Sequence, residues 1–241
     1  MIASVRPGIP KGAVAAPPSK SMAHRLLICA GLAEGGSAVT GVAPSQDVLA
    51  TCDCLRALGC TIDREGDRVL VRGCDPFQGA VEDLVCRESG STLRFFLPLA
   101  LLSGRPVRLK GWGRLMERPQ EVYENLCRQR GMLFQRELGA IRVQGPLAPG
   151  VFPLTGAVSS QFISGLLFAL PLLPENSRIE IEPPFESLSY VELTLDALRT
   201  FGVAVEWGGE NTILVPGRQR FQPRRCAVEG DWSNGAFLLA L

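Results

Sequence analysis

Apolar and polar positions along this chain follow a pattern that recurs. The stretches LRALGCTIDREGDRVLVRG, LCRQRGMLFQRELGAIRVQG and LRTFGVAVEWGGENTILVPG each close an apolar helical run on a glycine and continue as two short alternating runs parted by a polar turn. This predicts a helix that leads into a β-hairpin. The glycines are Gly59, Gly131 and Gly202, 72 and then 71 residues apart, and a fixed spacing marks a repeated unit. Upstream of each unit an apolar run meets serines and enters another apolar helix: SKSMAHRLLICAGLAEG, SGSTLRFFLPLALLSG and SSQFISGLLFALPLLPE. A further strand-like run follows each, SAVTGV, PVRLKG or SRIEIE.

Each repeat therefore reads strand, helix, strand, helix, strand, strand, with parallel neighbours joined through the helices. The predicted fold is α/β: three βαβαββ repeats with pseudo-threefold symmetry, sheets outside and the helices' apolar faces buried between them. Ser21, Ser91, Ser160 and Ser233 are spaced by 70, 69 and 73 residues. VEGDWSNGAFLLAL accordingly reads as the opening strand and helix of a fourth repeat, and the expectation is a piece of a longer chain. The expected divisions are a connection and first strand of a second domain in residues 1–13, a three-repeat domain over 14–225, and the start of the second domain in 226–241.

Composition removes several function classes. The chain has 241 residues, 46% of them hydrophobic, enough to bury a real core. Apolar runs such as FFLPLALL fall far short of the roughly 20 residues of a membrane span. The first residues lack the basic start, apolar stretch and cleavage site of a signal peptide, so a cytoplasmic protein is expected. Lys and Arg total 25 against 24 acidic residues, which leaves no bulk positive field for nucleic acid. Any anion must be held by local clusters. The eight cysteines include no CxxC, and one histidine is too few to complete a zinc site with Cys52 and Cys54, which face apart on a helix. Reduced thiols serving as small core hydrophobes are expected, with no metal.

Candidate chemistry concentrates at the serine-rich helix starts, where unpaired N–H groups and the positive end of the helix dipole favour anions. The first start holds Lys20, Ser21 and Arg25, the second Gly90, Ser91 and Arg94, the third Ser159, Ser160 and Gln161. GRLMERP adds Arg114 and Arg118 ahead of Pro119, which is expected to open a helix. Arginine offers a rigid fork for phosphate or carboxylate and lysine a mobile point charge, so the set suits more than one anionic group. Each feature also has a plain structural reading. The serines and Asp231 serve as N-caps, Arg94 as an ion-pair partner, and His24 as a surface or capping residue. Ser187 and Tyr190 would cap and pack the helix YVELTLDALRT. The coincidence of Lys, Arg, Ser, Gln and Asp at corresponding positions favours a site.

Six segments in order, PPSKSMAHR, ESGSTLRFFLPLA, GWGRLMERP, SSQFISGLLFALPL, SLSYVELTLDAL and EGDWSNGAF, closely resemble the 5-enolpyruvylshikimate-3-phosphate synthases, from about Pro17 to the last residue. The resemblance implies the N-terminal portion of a two-domain enzyme, each domain made of three repeats, with the active site between them. It implies transfer of the enolpyruvyl group of phosphoenolpyruvate to the 5-hydroxyl of shikimate 3-phosphate in aromatic amino-acid biosynthesis, with no metal or organic cofactor. Carried over motif by motif, Ser159, Ser160 and Ser187 would hold the shikimate phosphate, Ser21 and Arg25 the ring substituents, and Tyr190 would line that pocket. Lys20, Arg118 and the Gly90 backbone would bind phosphoenolpyruvate, Gln161 would sit between the substrates, and Asp231, catalytic together with Lys20, would accept the hydroxyl proton. Partners implied are the two substrates and a C-terminal domain, with no nucleic acid and no membrane.

This sequence departs from the common family pattern at Glu88 and Ser91, where many members carry Asn and Thr, at Leu188, where a Lys is common, and at Asn234, which replaces a frequent Ser. Glu88 is expected to pair with Arg94 or another cation. By the same resemblance, residues supplied by the second domain are missing, so this chain is expected to bind shikimate 3-phosphate without turning over. The alternatives are a noncatalytic domain for phosphorylated metabolites and a UDP-sugar enolpyruvyl transferase, whose usual Lys-Asn start is absent from SKSMAHR. RNA 3′-phosphate cyclases, with related repeats, are disfavoured by the neutral charge.

Overall fold

The computed structural model describes residues 12–78, 81–185 and 187–239. The expectation for residues 1–13 lies almost wholly outside the described residues. Repeat one comprises α1 (Lys20–Leu32), β1 (Gly36–Thr40), α2 (Gln46–Ala57), β2 (Thr61–Glu65) and β3 (Arg68–Arg72). Repeat two runs β4 (Asp83–Val85), α3 (Gly90–Ala100), β5 (Val107–Lys110), α4 (Glu121–Gln129), β6 (Leu133–Glu137) and β7 (Ala140–Gln144). Repeat three runs β8 (Val151–Thr155), α5 (Ser160–Ala169), β9 (Ser177–Glu182), α6 (Leu188–Thr200), β10 (Glu206–Gly209) and β11 (Thr212–Val215). The chain continues through β12 (Arg225–Ala227) into α7 (Trp232–Leu239).

The repeated glycines act as the spacing predicts. Gly59, Gly131 and Gly202 follow α2, α4 and α6 with φ of 106°, 68° and 76°, left-handed values that cost a side chain dearly and let the helix stop and turn into its hairpin. One helix start differs from expectation. Arg118, as the residue before a proline, is extended, and Gln120 keeps a non-helical φ of −133°, so α4 begins at Glu121 rather than at Pro119.

Two sheets follow one scheme, β4-β5-β7-β6 and β8-β9-β11-β10, each with a parallel first pair and antiparallel hairpin strands. The first sheet has the order β12-β1-β3-β2. Its parallel partner comes from after the third repeat, in the register Ala38↔Arg225 to Thr40↔Ala227. The described residues ahead of α1 form no strand: Pro17 and Pro18 lack N–H donors, and Pro18 makes an isolated bridge to Gly230. The expected division at residue 225 thus runs through β12.

The sheets present one face inward. Along β9, Ile179 and Ile181 are buried while Arg178 and Glu180 face out. Met22 to Leu32 of α1 are all buried, as befits a helix enclosed on every side. One contiguous apolar core joins all three repeats. Among the described residues no helix is long and apolar enough to cross a membrane.

Candidate active site

The starts of α1, α5, α6 and α7 open on one cavity of about 670 Å³. Lys20, Ser21, Arg25, Ser159, Ser160, Gln161, Ser187, Tyr190 and Asp231 all line it. Ser159 keeps its capping role as well, its Oγ accepting from Gln161 N–H at 3.3 Å, a contact worth about 1 kcal/mol to the helix. Ser187 occupies the cap position of α6, yet its hydroxyl makes no capping bond. That hydroxyl is left to the cavity.

Arg25 is the electrostatic centre. It is 2% exposed and donates from Nε to Thr194 Oγ1 at 2.8 Å, from Nη1 to the Ser21 carbonyl at 2.7 Å, and from Nη2 to Ser164 Oγ and the Tyr190 carbonyl. Its guanidinium lies over Phe95, 5.2 Å from the ring centroid. Every one of these partners is neutral. Burial draws its pKa down to about 10, which still leaves it charged at neutral pH. A buried cation without a counter-anion is costly, and an anion in the cavity would offset that cost.

Gln161 is held at both ends of its amide. Arg94 Nη1 donates to its Oε1 at 2.8 Å, and its Nε2 donates to Ser91 Oγ at 3.0 Å. Arg94 also donates to the Pro119 carbonyl at 3.0 Å and stacks on Phe162, 4.7 Å from the centroid. The ion-pair reading of Arg94 is therefore corrected: among the described residues it pairs with no carboxylate, and it joins the starts of α3, α4 and α5. Glu88 does not pair with it; its carboxylate lies against Gly113, where any side chain would collide with it.

Gly90 and Arg118 stand beside this cavity rather than in it. A Cβ at Gly90 would fall 2.6 Å from Arg118 Nη1, so the guanidinium lies directly against the first residue of α3 and a side chain there would push it aside. Arg118 and Arg114 line a separate hollow of about 370 Å³. Lys20 is engaged by Asp47, Nζ to Oδ2 at 2.7 Å. Asp231 is fixed next to α1 by an antiparallel bridge, Ser19 N–H to the Glu229 carbonyl at 2.8 Å and Asp231 N–H to the Pro17 carbonyl at 2.7 Å. Its Oδ1 accepts from Asn234 N–H at 3.0 Å and so caps α7.

His24 is not a surface residue. At 1% exposure it is covered by α2 and α3, with Nδ1 2.7 Å from Thr51 Oγ1, which in turn contacts Thr92 Oγ1 at 3.0 Å. Burial lowers its pKa to about 3, so the ring is neutral. Sequence reasoning missed Asp47, Ser189 and Glu229, of which the last two line the cavity. The signal for Asp47 and Ser189 was available, since both sit at the starts of second helices of their repeats, as Ser187 does.

The class of protein this defines is one of fused repeats that gather, among the described residues, hydroxyls at their helix starts around a buried arginine whose hydrogen-bond partners are all neutral. The family of EPSP synthase (3-phosphoshikimate 1-carboxyvinyltransferase) matches over residues 7–241, and the chain belongs to that family. It is 40% identical over 240 residues to the 3-phosphoshikimate 1-carboxyvinyltransferase of Clostridium kluyveri, covering 99% of this chain and 56% of the relative. For the Clostridium perfringens protein of the same name the identity is 39% over 236 residues, covering 97% and 56%. The structure of EPSP synthase from Acinetobacter baumannii superposes with a TM-score of 0.81 at 26% identity, over 95% of this chain and 52% of that one. The chain thus spans about half the length of the relatives it matches.

Proposed function

We propose that this chain is the half of a 3-phosphoshikimate 1-carboxyvinyltransferase that receives shikimate 3-phosphate in the cytoplasm, with the remaining length of its relatives supplying a second domain that closes over the helix starts. The body from residue 14 through β12 is then the N-terminal domain, and α7 opens the second. The observation that carries this reading is Arg25, buried with only neutral hydrogen-bond partners among the described residues and lining a cavity ringed by hydroxyls.

In this reading Ser159, Ser160 and Ser187 take the phosphate at the starts of α5 and α6, where N–H groups and dipoles add to the hydroxyls. Arg25 and Ser21 take the ring oxygens against Tyr190. Phosphoenolpyruvate lies toward α3, held by Arg118, the Gly90 N–H and Lys20, with Gln161 between the substrates. The 5-hydroxyl oxygen attacks C2 of phosphoenolpyruvate as C3 gains a proton, and the tetrahedral intermediate then expels phosphate from C2 as C3 gives up a proton, which restores the C2=C3 double bond. Asp231 takes the hydroxyl proton. Its Oδ1 is occupied by the Asn234 N–H, which orients Oδ2 as the basic atom.

A fusion of residues 1–241 to the second half of the Clostridium kluyveri relative tests this. Phosphate release should require both substrates, and Asp231→Asn should slow it by about 10²- to 10⁴-fold. A folded fusion that binds both substrates yet releases no phosphate would contradict the assignment.

A further inference from the structure

Cys60 and Cys74 bracket the β2–β3 hairpin, outside the cavity described above, and their sulfurs are 3.1 Å apart. Cys60 is buried, with Sγ 3.3 Å from the Gly31 carbonyl. Cys74 is half-buried, with Sγ 3.2 Å from the Leu58 carbonyl. It lines a separate cavity of about 470 Å³ together with Arg218, Arg220, Glu34 and Asp75. The guanidinium of Arg220 is 3.9 Å from Glu34, and that of Arg218 donates through Nε to the Pro174 carbonyl, which leaves both forks able to meet carboxylates. The hydrogen bond from Cys60 holds the Cys74 thiol below its usual range, while burial and Asp75 oppose it; Cys60 is held well above. The accessible sulfur is thus the one that ionises, and the protonated one sits behind it, the order that an attacking and a resolving thiol require.

We propose that Cys74 is a thiol–disulfide exchange site for small carboxylate-bearing disulfides that dock on Arg218 and Arg220, with Cys60 as the resolving thiol. The Cys74 thiolate attacks one sulfur of the small disulfide R–S–S–R, forming a mixed disulfide and releasing RS⁻. Cys60 then loses its proton to solvent and attacks Cys74 Sγ, and a second RS⁻ leaves. Two protein thiols are oxidised to one disulfide while the small disulfide is reduced to two thiols. The protein sulfurs need to close by about 1 Å to reach the S–S length of about 2.0 Å.

The whole chain incubated with oxidised glutathione should lose two of its eight free thiols and two hydrogens, with no glutathione retained. Cys60→Ala should instead retain one glutathione, on Cys74 by peptide mapping. The double variant Arg218→Ala, Arg220→Ala should react several-fold more slowly with oxidised glutathione but unchanged with the uncharged 2-hydroxyethyl disulfide. Eight thiols remaining reduced, or glutathione attached to the half-buried Cys226 in place of Cys74, would overturn the site. Equal slowing with both disulfides would overturn the arginine docking.

Discussion

Arg25 and His24 are adjacent in α1 and buried alike, yet one keeps its charge and the other loses it. Arg25 spends its donors on four neutral oxygens, whereas His24 has Thr51 on Nδ1 and no partner on Nε2. A charged ring would leave that second N–H buried and unmet. The consequence is a pH dependence. His24 has a folded pKa of about 3, below its ordinary 6.5. Between those values the unfolded chain binds a proton that the folded chain refuses, so stability is full above about pH 6.5 and falls as pH drops toward 3, by up to about 1.4 kcal/mol per pH unit. It is the single histidine in the chain, so denaturant unfolding of His24→Asn should show a flatter curve between pH 6.5 and 5; an unchanged curve would contradict the burial. SKSMAHR made Lys20, Ser21 and Arg25 legible as a charged helix start. It could not reveal that α2 and α3 cover His24, because burial there depends on residues 27 and 68 positions away, Thr51 and Thr92.

At the scale of elements, the site depends on how closely α3 and α5 approach. Gly165 lies where a Cβ would overlap the Arg94 carbonyl and the Tyr123 hydroxyl. That hydroxyl, fully buried, bonds to the carbonyls of Arg94 and Phe162. Gly165→Ala should therefore cost about 1–3 kcal/mol of stability by forcing the helices apart, read from denaturant midpoints. It should also loosen the Arg94–Gln161–Ser91 chain between their first turns. A variant as stable as the parent would show that the contact is slack. Periodicity carried most of the elements, because helix stops on glycine and two-residue alternation are local signals, as at Gly59, Gly131 and Gly202. The clamp on Gln161 was not legible: Arg94 reads equally as an ion-pair partner until α5 is placed beside α3.

For the whole molecule, closure of the first sheet by β12 joins chain segments some 190 residues apart and holds Asp231 against α1. No local pattern announces it, since the division expected after residue 225 assigns Cys226 and Ala227 to a following unit. Deleting residues 225–241 should expose the edge of β1, lower the thermal midpoint and promote self-association in sedimentation; an equally stable monomer would show the closure to be dispensable. The same assembly brings hydroxyls from separate repeats around Arg25, which we propose form a receptor for a phosphorylated, hydroxylated anion. Calorimetric titration of shikimate 3-phosphate into this chain, with a Ser159→Ala, Ser160→Ala variant in parallel, tests this receptor. Saturable binding that the double variant loses is expected. Absence of binding by the folded chain, or equal binding by the variant, would contradict it.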